Sequence, residues 1–472
     1  MKTLLLSDIA KMVGGSASGE ATITSVVIDN REVEKGSLFI AIKGDRLDGH
    51  QFVSAAISAG AAAVMVHEDI ECSVPTIKVE NTSEAFLALA NGYRKTFDIP
   101  IVAVTGSVGK TTTKEMIACV LGAKYNAHKT FTNWNNSIGV PKVLLGLEAS
   151  HTAAVVEMGM NHKGEISVLT RTVLPTMAVI TNVGVSHIEN LGSRDGILKA
   201  KLEILEGMED GASLFLNADN DMLAKVQESD FDNRFRIKRF GIEKNADFMA
   251  RNLEFDEDGT KFVAVINPSR EDGLDGAGCE DIEPVTFSVR IPTTGEHNVY
   301  DALAAIAIGT ELGIDNYKMA EALEGYMPAG MREKIEVIKN ITLIEDCYNA
   351  SPDSVRALAT TLKIKGSGGK RKIAVIADML ELGDYSEKAH RDCGRYLADA
   401  KVDMLLTYGE LAKFTAEEAR ANGVLRVFEF DDKLELGRQL TSLIKEWDVV
   451  AFKGSRGMKL EDVIDYVRGE LV

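Results

Sequence analysis

Residues 101–117 read IVAVTGSVGKTTTKEMI. Four apolar, partly β-branched residues (101–104) have the composition of a short buried strand. Gly106 and Gly109 punctuate a turn, and 111–121 carries the spacing of a helix. Strand, phosphate loop and helix follow in that order. Glycines let backbone N–H groups turn onto phosphate oxygens, Lys110 supplies a point charge for the outer phosphates, and the Thr111 hydroxyl stands where a helix N-terminus offers a Mg²⁺ ligand. The loop departs from GxxxxGK[ST]: Gly106, Ser107, Val108, Gly109, Lys110, Thr111 and Thr112 make the shorter GxxGKTT. A glycine turn that merely joins strand to helix is the competing reading, and the strand-loop-helix context weighs against it.

Outward from the loop, residues 85–328 repeat the strand-to-turn plan. FTNWNNSIGVP (131–141) sets Asn133, Asn135 and Asn136 in a loop before a helix, where asparagines are mostly turn formers. AAVVEMGMNHKGEI runs a buried strand (153–156) straight into Glu157. A carboxylate at the C-terminal end of a strand beside a phosphate loop is where a doubly wound sheet holds a Mg²⁺ ligand. The strand 178–181 leads through Asn182 to His187, a better ligand candidate than most lone histidines. The helix 196–205 offers Lys199, Lys201 and Glu203, which read alone describe a solvated face. Residues 241–290 read as edge strands with an acidic surface loop, EDGLDGAGCEDIEP (271–284). GEHNVYDALAAIAIGTELGI then opens a helix with a core-like stripe, and its polar start at 296–298 is a candidate nucleotide contact.

Short strands (25–28, 38–42, 62–66, 76–79) and small-residue helical stretches such as 53–59 make residues 1–84 a compact α/β unit. Asp29, Arg31, Lys43, Arg46 and His50 cluster there around glycine turns, a set suited to a diphosphate or sugar and equally to a solvated loop. Pro328 and Gly330 mark a hinge. Beyond it, in 329–472, four further strand-to-turn units imply a second open, mainly parallel sheet with polar turns at the strand ends.

The length of 472 residues agrees with three such units, at about 150 residues per domain. A hydrophobic fraction of 45% and a charged fraction of 26% describe a soluble globular chain. With 53 basic against 71 acidic residues, the net charge of -18 disfavours nucleic acid as a partner. The five cysteines (Cys72, Cys119, Cys279, Cys347, Cys393) are odd in number, scattered and free of CxxC spacing. They point to a reducing compartment and away from a zinc site or disulfide scaffold. The start, MKTLLLSDIAKMVGG, is too short and polar for a secretory signal, and no run reaches the roughly 18 apolar residues of a membrane span. A cytoplasmic protein without membrane insertion is expected.

Taken in one order, GSVGKTTTKE, NNSIGVP, EMGMNHKGEI, TNVGVSHIENLGS, AKLEI, GEHN, DCYNASPDS, DMLELG and KGSRGMKLE resemble the Mur ligases along all three units. The resemblance implies a small N-terminal α/β domain for the UDP end of the substrate (1–84) and a central P-loop ATPase with a mainly parallel sheet (85–328). A C-terminal Rossmann-like domain (329–472) completes it. It implies ATP, two Mg²⁺ ions and CO₂ held as a lysine carbamate as cofactors. Gly106 to Thr112 would bind the ATP phosphates, with Asn298, Asp301, Arg332 and Asp346 on the rest of the nucleotide. Thr111 and Glu157 would hold one Mg²⁺ and His187 a second, while Lys201 matches the family's carbamylated lysine, so that Lys110, Glu157, His187 and Lys201 carry the chemistry. Asp29, Arg31, Lys43, His50, Asn135, Asn136, Tyr348, Asn349, Lys453, Ser455 and Arg456 would meet the substrates.

YN-A-x-P and MLELG favour the branch that joins D-alanyl-D-alanine to UDP-N-acetylmuramoyl-tripeptide through an acyl phosphate, and a monomer is expected. Three positions depart from the family pattern. Asp301 replaces the second asparagine of HNxxN, which keeps an acceptor for the adenine amine and loses a donor. Ser351 stands in YNANP and Asn30 in DSR. A diamino-acid-adding Mur ligase or a folylpolyglutamate synthase is the nearest alternative. A phosphate-loop kinase or nucleotide-gated binding module comes from another class, and Glu157, His187 and Lys201 at family positions weigh against it.

Overall fold

The computed structural model describes residues 1–44, 47–268, 283–328 and 330–471. Arg46 and most of the acidic stretch, 271–282, lie outside them. Three α/β units follow one another along the chain. In the first, a five-stranded sheet runs in the order Ser16–Ala17, Thr76–Lys78, Ala63–Val66, Ser37–Ile40, Ser25–Val27. All its neighbours are parallel except the Ser16–Ala17 edge.

The second unit is built on nine strands. Its parallel part places Ile101–Thr105 between Ala153–Glu157 and Met177–Ile180, so the phosphate loop leaves the middle of the sheet. Alternation along that strand explains the placement. Ile101 and Ala103 face a core shared with Leu89 and Tyr93 of the helix Thr82–Arg94, while Val102 and Val104 face Met116, Ile117 and Val120 of the phosphate-loop helix. Both faces are covered, which is why the strand reads as an unbroken apolar run. At the far edge, Phe248–Asp256, Gly259–Ile266 and Val285–Ile291 are the edge strands expected within 241–290, and they pair as an antiparallel ribbon.

The third unit is a six-stranded sheet, Lys334–Ile338, Ile341–Glu345, Val449–Lys453, Lys372–Ala377, Met404–Tyr408, Arg426–Phe430, parallel apart from its first pair. One apolar cluster includes Leu38, Ala103 and Ile376, so burial continues through all three sheets. Polar ties cross the junctions: Lys142 to Glu32 at 3.1 Å, Lys370 to Glu257 at 2.7 Å, and His187 to Glu381 at 2.6 Å. Among the described residues no helix is long and apolar enough to cross a membrane.

Candidate active site

A cleft of about 1170 Å³ opens between the second and third units, floored by the phosphate loop. The loop is shaped by residues that follow the neighbouring strand. Asn182 Oδ1 accepts from the backbone N–H groups of Ser107 (3.0 Å) and Val108 (2.9 Å), and Thr181 Oγ1 donates to the Val108 carbonyl at 2.6 Å. Gly109 adopts φ +83° as the helix begins, and a Cβ there would lie 2.8 Å from Asp301 Oδ1, so only glycine fits. The first-turn N–H groups of Lys110–Gly122 have no intrahelical acceptor and suit an anion. Lys110 Nζ donates to the Gly106 carbonyl at 2.9 Å. Burial lowers its pKa, opposed by Glu157 and reinforced by Arg332.

The donors expected around a metal come together. Glu157, 1% exposed, takes the Thr111 hydroxyl on Oε2 at 2.9 Å and the Asn135 amide on Oε1 at 2.8 Å. Its backbone N–H donates to Thr130 at 2.9 Å, which fixes the end of the strand. His187 sits at φ +63°, with Nδ1–H held by Glu381, so Nε2 is the nitrogen left for a ligand. Burial and Lys110 lower its pKa, Glu381 opposing them, which favours the neutral ring.

Lys201 is 1% exposed and makes no hydrogen bond or ion pair among the described residues. Burial first, then the nearby Lys110, drives its pKa well below the usual lysine value. The reading of its helix as a solvated face is corrected for this side chain: the helix Arg194–Leu202 turns Ile197, Ala200 and Lys201 inward together. Glu203 is structural. Its carboxylate accepts from Gly164 N–H (2.8 Å) and Ser167 N–H (3.2 Å) at the N-terminus of the helix Glu165–Val173.

The facing wall carries the remaining nucleotide candidates. Asp301 accepts from the Thr113 hydroxyl at 2.5 Å, and burial pushes its carboxyl up to about 7. Asp346 pairs with the buried Lys453 at 2.5 Å, and the Arg332 guanidinium lies 4.3 Å over the Tyr348 ring. Asn298, Asn135, Asn136 and Asn349 also line the cleft. Ser455 and Arg456 do not. Ser455 Oγ accepts from Leu380 N–H, and Arg456 pairs with Glu461 at 2.9 Å.

The N-terminal candidates lie apart from this cleft and pair among themselves: Arg31 with Asp29 at 2.5 Å, and Lys43 (3.6 Å) and His50 (2.6 Å) with Asp48. The Arg31 hydrogen bonds hold Asp29 down at about 2. Among the residues that line the site or shape its loop, Asn182 and Glu333 were not candidates from sequence. Asn182 had a usable signal, its place just past a strand beside the loop. Glu333 had none, being one acidic residue in a charged linker.

Three family models match the chain: "Mur ligase family, catalytic domain" over 22–94, "Mur ligase middle domain" over 104–309 and "Mur ligase, glutamate ligase domain" over 332–456. The chain is 38% identical over 478 residues to the UDP-N-acetylmuramoyl-tripeptide--D-alanyl-D-alanine ligase of Bacillus subtilis (strain 168), covering 97% of each chain. The chain belongs to the Mur ligase family. A crystal structure of MurF from Acinetobacter baumannii superposes with a TM-score of 0.88 at 30% identity, covering 99% of both chains. A MurF ligase from Thermotoga maritima, solved in complex with ADP, superposes at 0.81 with 26% identity over 95% and 97% of the two chains. In this Mur ligase the middle-domain match contains the phosphate loop, Glu157, His187 and Lys201. The glutamate-ligase match contains Arg332, Asp346 and Tyr348.

Proposed function

We propose that this Mur ligase uses ATP to join D-alanyl-D-alanine to UDP-N-acetylmuramoyl-tripeptide, as a monomer in the cytoplasm, for peptidoglycan precursor synthesis. The observation that carries the reading is the meeting of the phosphate loop with Glu157 and His187 in one cleft whose far wall is the third unit, with the unpartnered Lys201 buried close enough to feel Lys110 and to act on His187. A nucleotide switch needs no second buried lysine beside its phosphate lysine. The names of the similar ligases supply the substrates.

The reaction has an obstacle that the cleft addresses. A carboxylate resists attack by an amine because it is anionic and lacks a leaving group. Transfer of the γ-phosphoryl of ATP to the tripeptide carboxylate gives an acyl phosphate; the dipeptide amine attacks its carbonyl, and phosphate departs from the tetrahedral intermediate. Lys110, freed from the Gly106 carbonyl, is the cation for the outer phosphates, and the loop positions them. Asn298, Asp301, Arg332 and Asp346 are assigned to the rest of the nucleotide. Tyr348, Asn349 and Lys453 are assigned to the substrates from the third unit. Asn135 and Asn136 are assigned from the second, with Asp29, Arg31, Lys43 and His50 at the UDP end.

The donor set fits Mg²⁺: Glu157 and Thr111 offer hard oxygens, and His187 offers Nε2. Lys201 fits a carbamate, since a neutral buried amine adds CO₂ with loss of a proton and so presents oxygens in place of a cation. When bound, the metal ions offset the negative charge that gathers between nucleotide and carboxylate. Closure of the third unit over this polar cleft would keep bulk water from the acyl phosphate.

Phosphate release from ATP with UDP-N-acetylmuramoyl-tripeptide, in the presence and absence of D-alanyl-D-alanine, tests the reading. Turnover is expected to require both, and to vanish in Lys110→Ala. ATP turnover with no amide product, or release driven by a diamino acid or glutamate in place of the dipeptide, refutes it.

A further inference from the structure

The strongest constraint in the cleft that the proposed chemistry leaves unused is the carboxylate of Glu333. This residue sits just past the hinge at φ +48° and is gripped from both units. His297 donates from Nε2 to Oε1 at 2.8 Å and Thr361 from its hydroxyl to the same oxygen at 3.1 Å. The Asn298 amide nitrogen donates to Oε2 at 2.8 Å. Burial raises the Glu333 pKa, but His297 and these hydrogen bonds outweigh it and hold the carboxyl at about 2. At any working pH Glu333 therefore accepts hydrogen bonds and donates none.

That asymmetry decides which way the Asn298 amide faces. An acceptor-only partner requires the NH₂ side, and the same nitrogen also lies 3.4 Å from the Thr294 carbonyl. The carbonyl oxygen has no partner among the described residues. It is also not among the wholly buried side-chain atoms that lack one, so it keeps access to the cleft. Nearby, Asp301 takes the Thr113 hydroxyl on Oδ1, the oxygen that also lies hard against Gly109 of the phosphate loop, and has Oδ2 to spare. With the triphosphate on that loop, a base that reaches Asn298 and Asp301 meets two free acceptors, the Asn298 carbonyl oxygen and Asp301 Oδ2.

We propose that Glu333 is a positioning residue for base selection: by locking Asn298 with its carbonyl outward, it makes the site choose a purine carrying an amine over one carrying a carbonyl at the same place. This inference rests on the nucleotide reading above. A carbonyl-bearing purine would bring an acceptor against the Asn298 oxygen and the Asp301 carboxylate, and the amine-bearing purine a donor to each.

The test is equilibrium binding of ADP and of IDP, which carries a carbonyl where ADP carries the amine, measured by calorimetry at pH 8, where Asp301 is ionised. The wild-type chain is expected to favour ADP by at least about tenfold, one hydrogen-bond's worth of discrimination. Glu333→Gln, isosteric and able to turn its own NH₂ toward Asn298, is expected to cut that ratio by about tenfold. In an Asn298→Ala background the same change is expected to leave the ratio alone, because the effect runs through the amide. A ratio unmoved by Glu333→Gln, with both affinities falling together, overturns the proposal and leaves Glu333 a structural tie. A ratio that still shifts without Asn298 overturns it too. If the wild-type chain binds neither nucleotide, the nucleotide reading itself fails and the inference falls with it.

Discussion

Asp301 gives the sharpest prediction about the site's electrostatics. It lies 6% exposed where the family pattern has asparagine, with the Thr113 hydroxyl as its hydrogen-bond donor. Burial is the largest influence on it. Thr113, His297 and Arg332 favour the charged form and Glu333 opposes it, and the balance raises the carboxyl from 3.8 to about 7. The sign follows. The folded state holds the proton more tightly than the unfolded chain, so stability falls as pH rises from the unfolded value through the folded one and levels off above it. A shift of about three units at about 1.4 kcal/mol each is a penalty of about 4 kcal/mol fully developed by pH 8, of which about 2–3 kcal/mol accrues between pH 5 and pH 8. Asp301→Asn keeps the shape and an acceptor for Thr113 but cannot ionise. Urea unfolding at pH 5, 6, 7 and 8 is therefore expected to show the variant pulling ahead of the parent as pH rises, the gap widening by about 2–3 kcal/mol. Parallel pH profiles for parent and variant would refute the claim that an unrelieved buried carboxylate sits beside the phosphate loop.

Two further substitutions probe the neighbourhood. Lys201→Ala is expected to lower ligation by about a hundredfold, the scale of losing a metal-site group, and added formate or acetate is expected to restore part of it; no rescue in a titration of the short acids counts against the carbamate. Glu203→Ala removes the acceptor for two backbone N–H groups at the start of Glu165–Val173, and chemical denaturation is expected to report a loss of about 1–2 kcal/mol, typical of a helix cap.

How much of this was legible in the chain follows from the range of the interactions involved. The phosphate loop was, because its strand, glycines and helix are local features whose chemistry is written in consecutive residues. Glu157 was legible for the same reason, as the residue at which an apolar run stops. Lys201 was not legible from its own surroundings: the polar helix around it suggests solvent, and only the resemblance to the family singled it out. Its burial is tertiary, produced by the packing of Ile197 and Ala200 against other elements. Glu203, two residues on, looked like part of the same face, yet its partners are backbone groups of a helix some forty residues earlier. Glu333 lay beyond reach for a related reason. Its significance depends on side chains from two other helices converging on it, and a run of charged residues in a linker carries no trace of that.

The placement of Lys110 and Lys201 binds these pieces into one electrostatic argument. Lys110 lowers the readiness of Lys201 to hold a proton, and burial works on both in the same direction. A neutral Lys201 amine has the electron pair that CO₂ requires, so the proximity that makes two ammonium groups intolerable also prepares one of them for conversion to an anion. A carbamate there would act on Lys110 by attraction, favouring the charged form that suits phosphate oxygens. Reciprocity then requires that whatever holds Lys110 in its charged form, a bound triphosphate included, must favour the anionic state of Lys201 by the same free energy. An unpartnered lysine at 1% exposure is costly for a fold to keep. A carbamate beside a phosphate-binding partner would turn that cost into coupling between the two halves of the site.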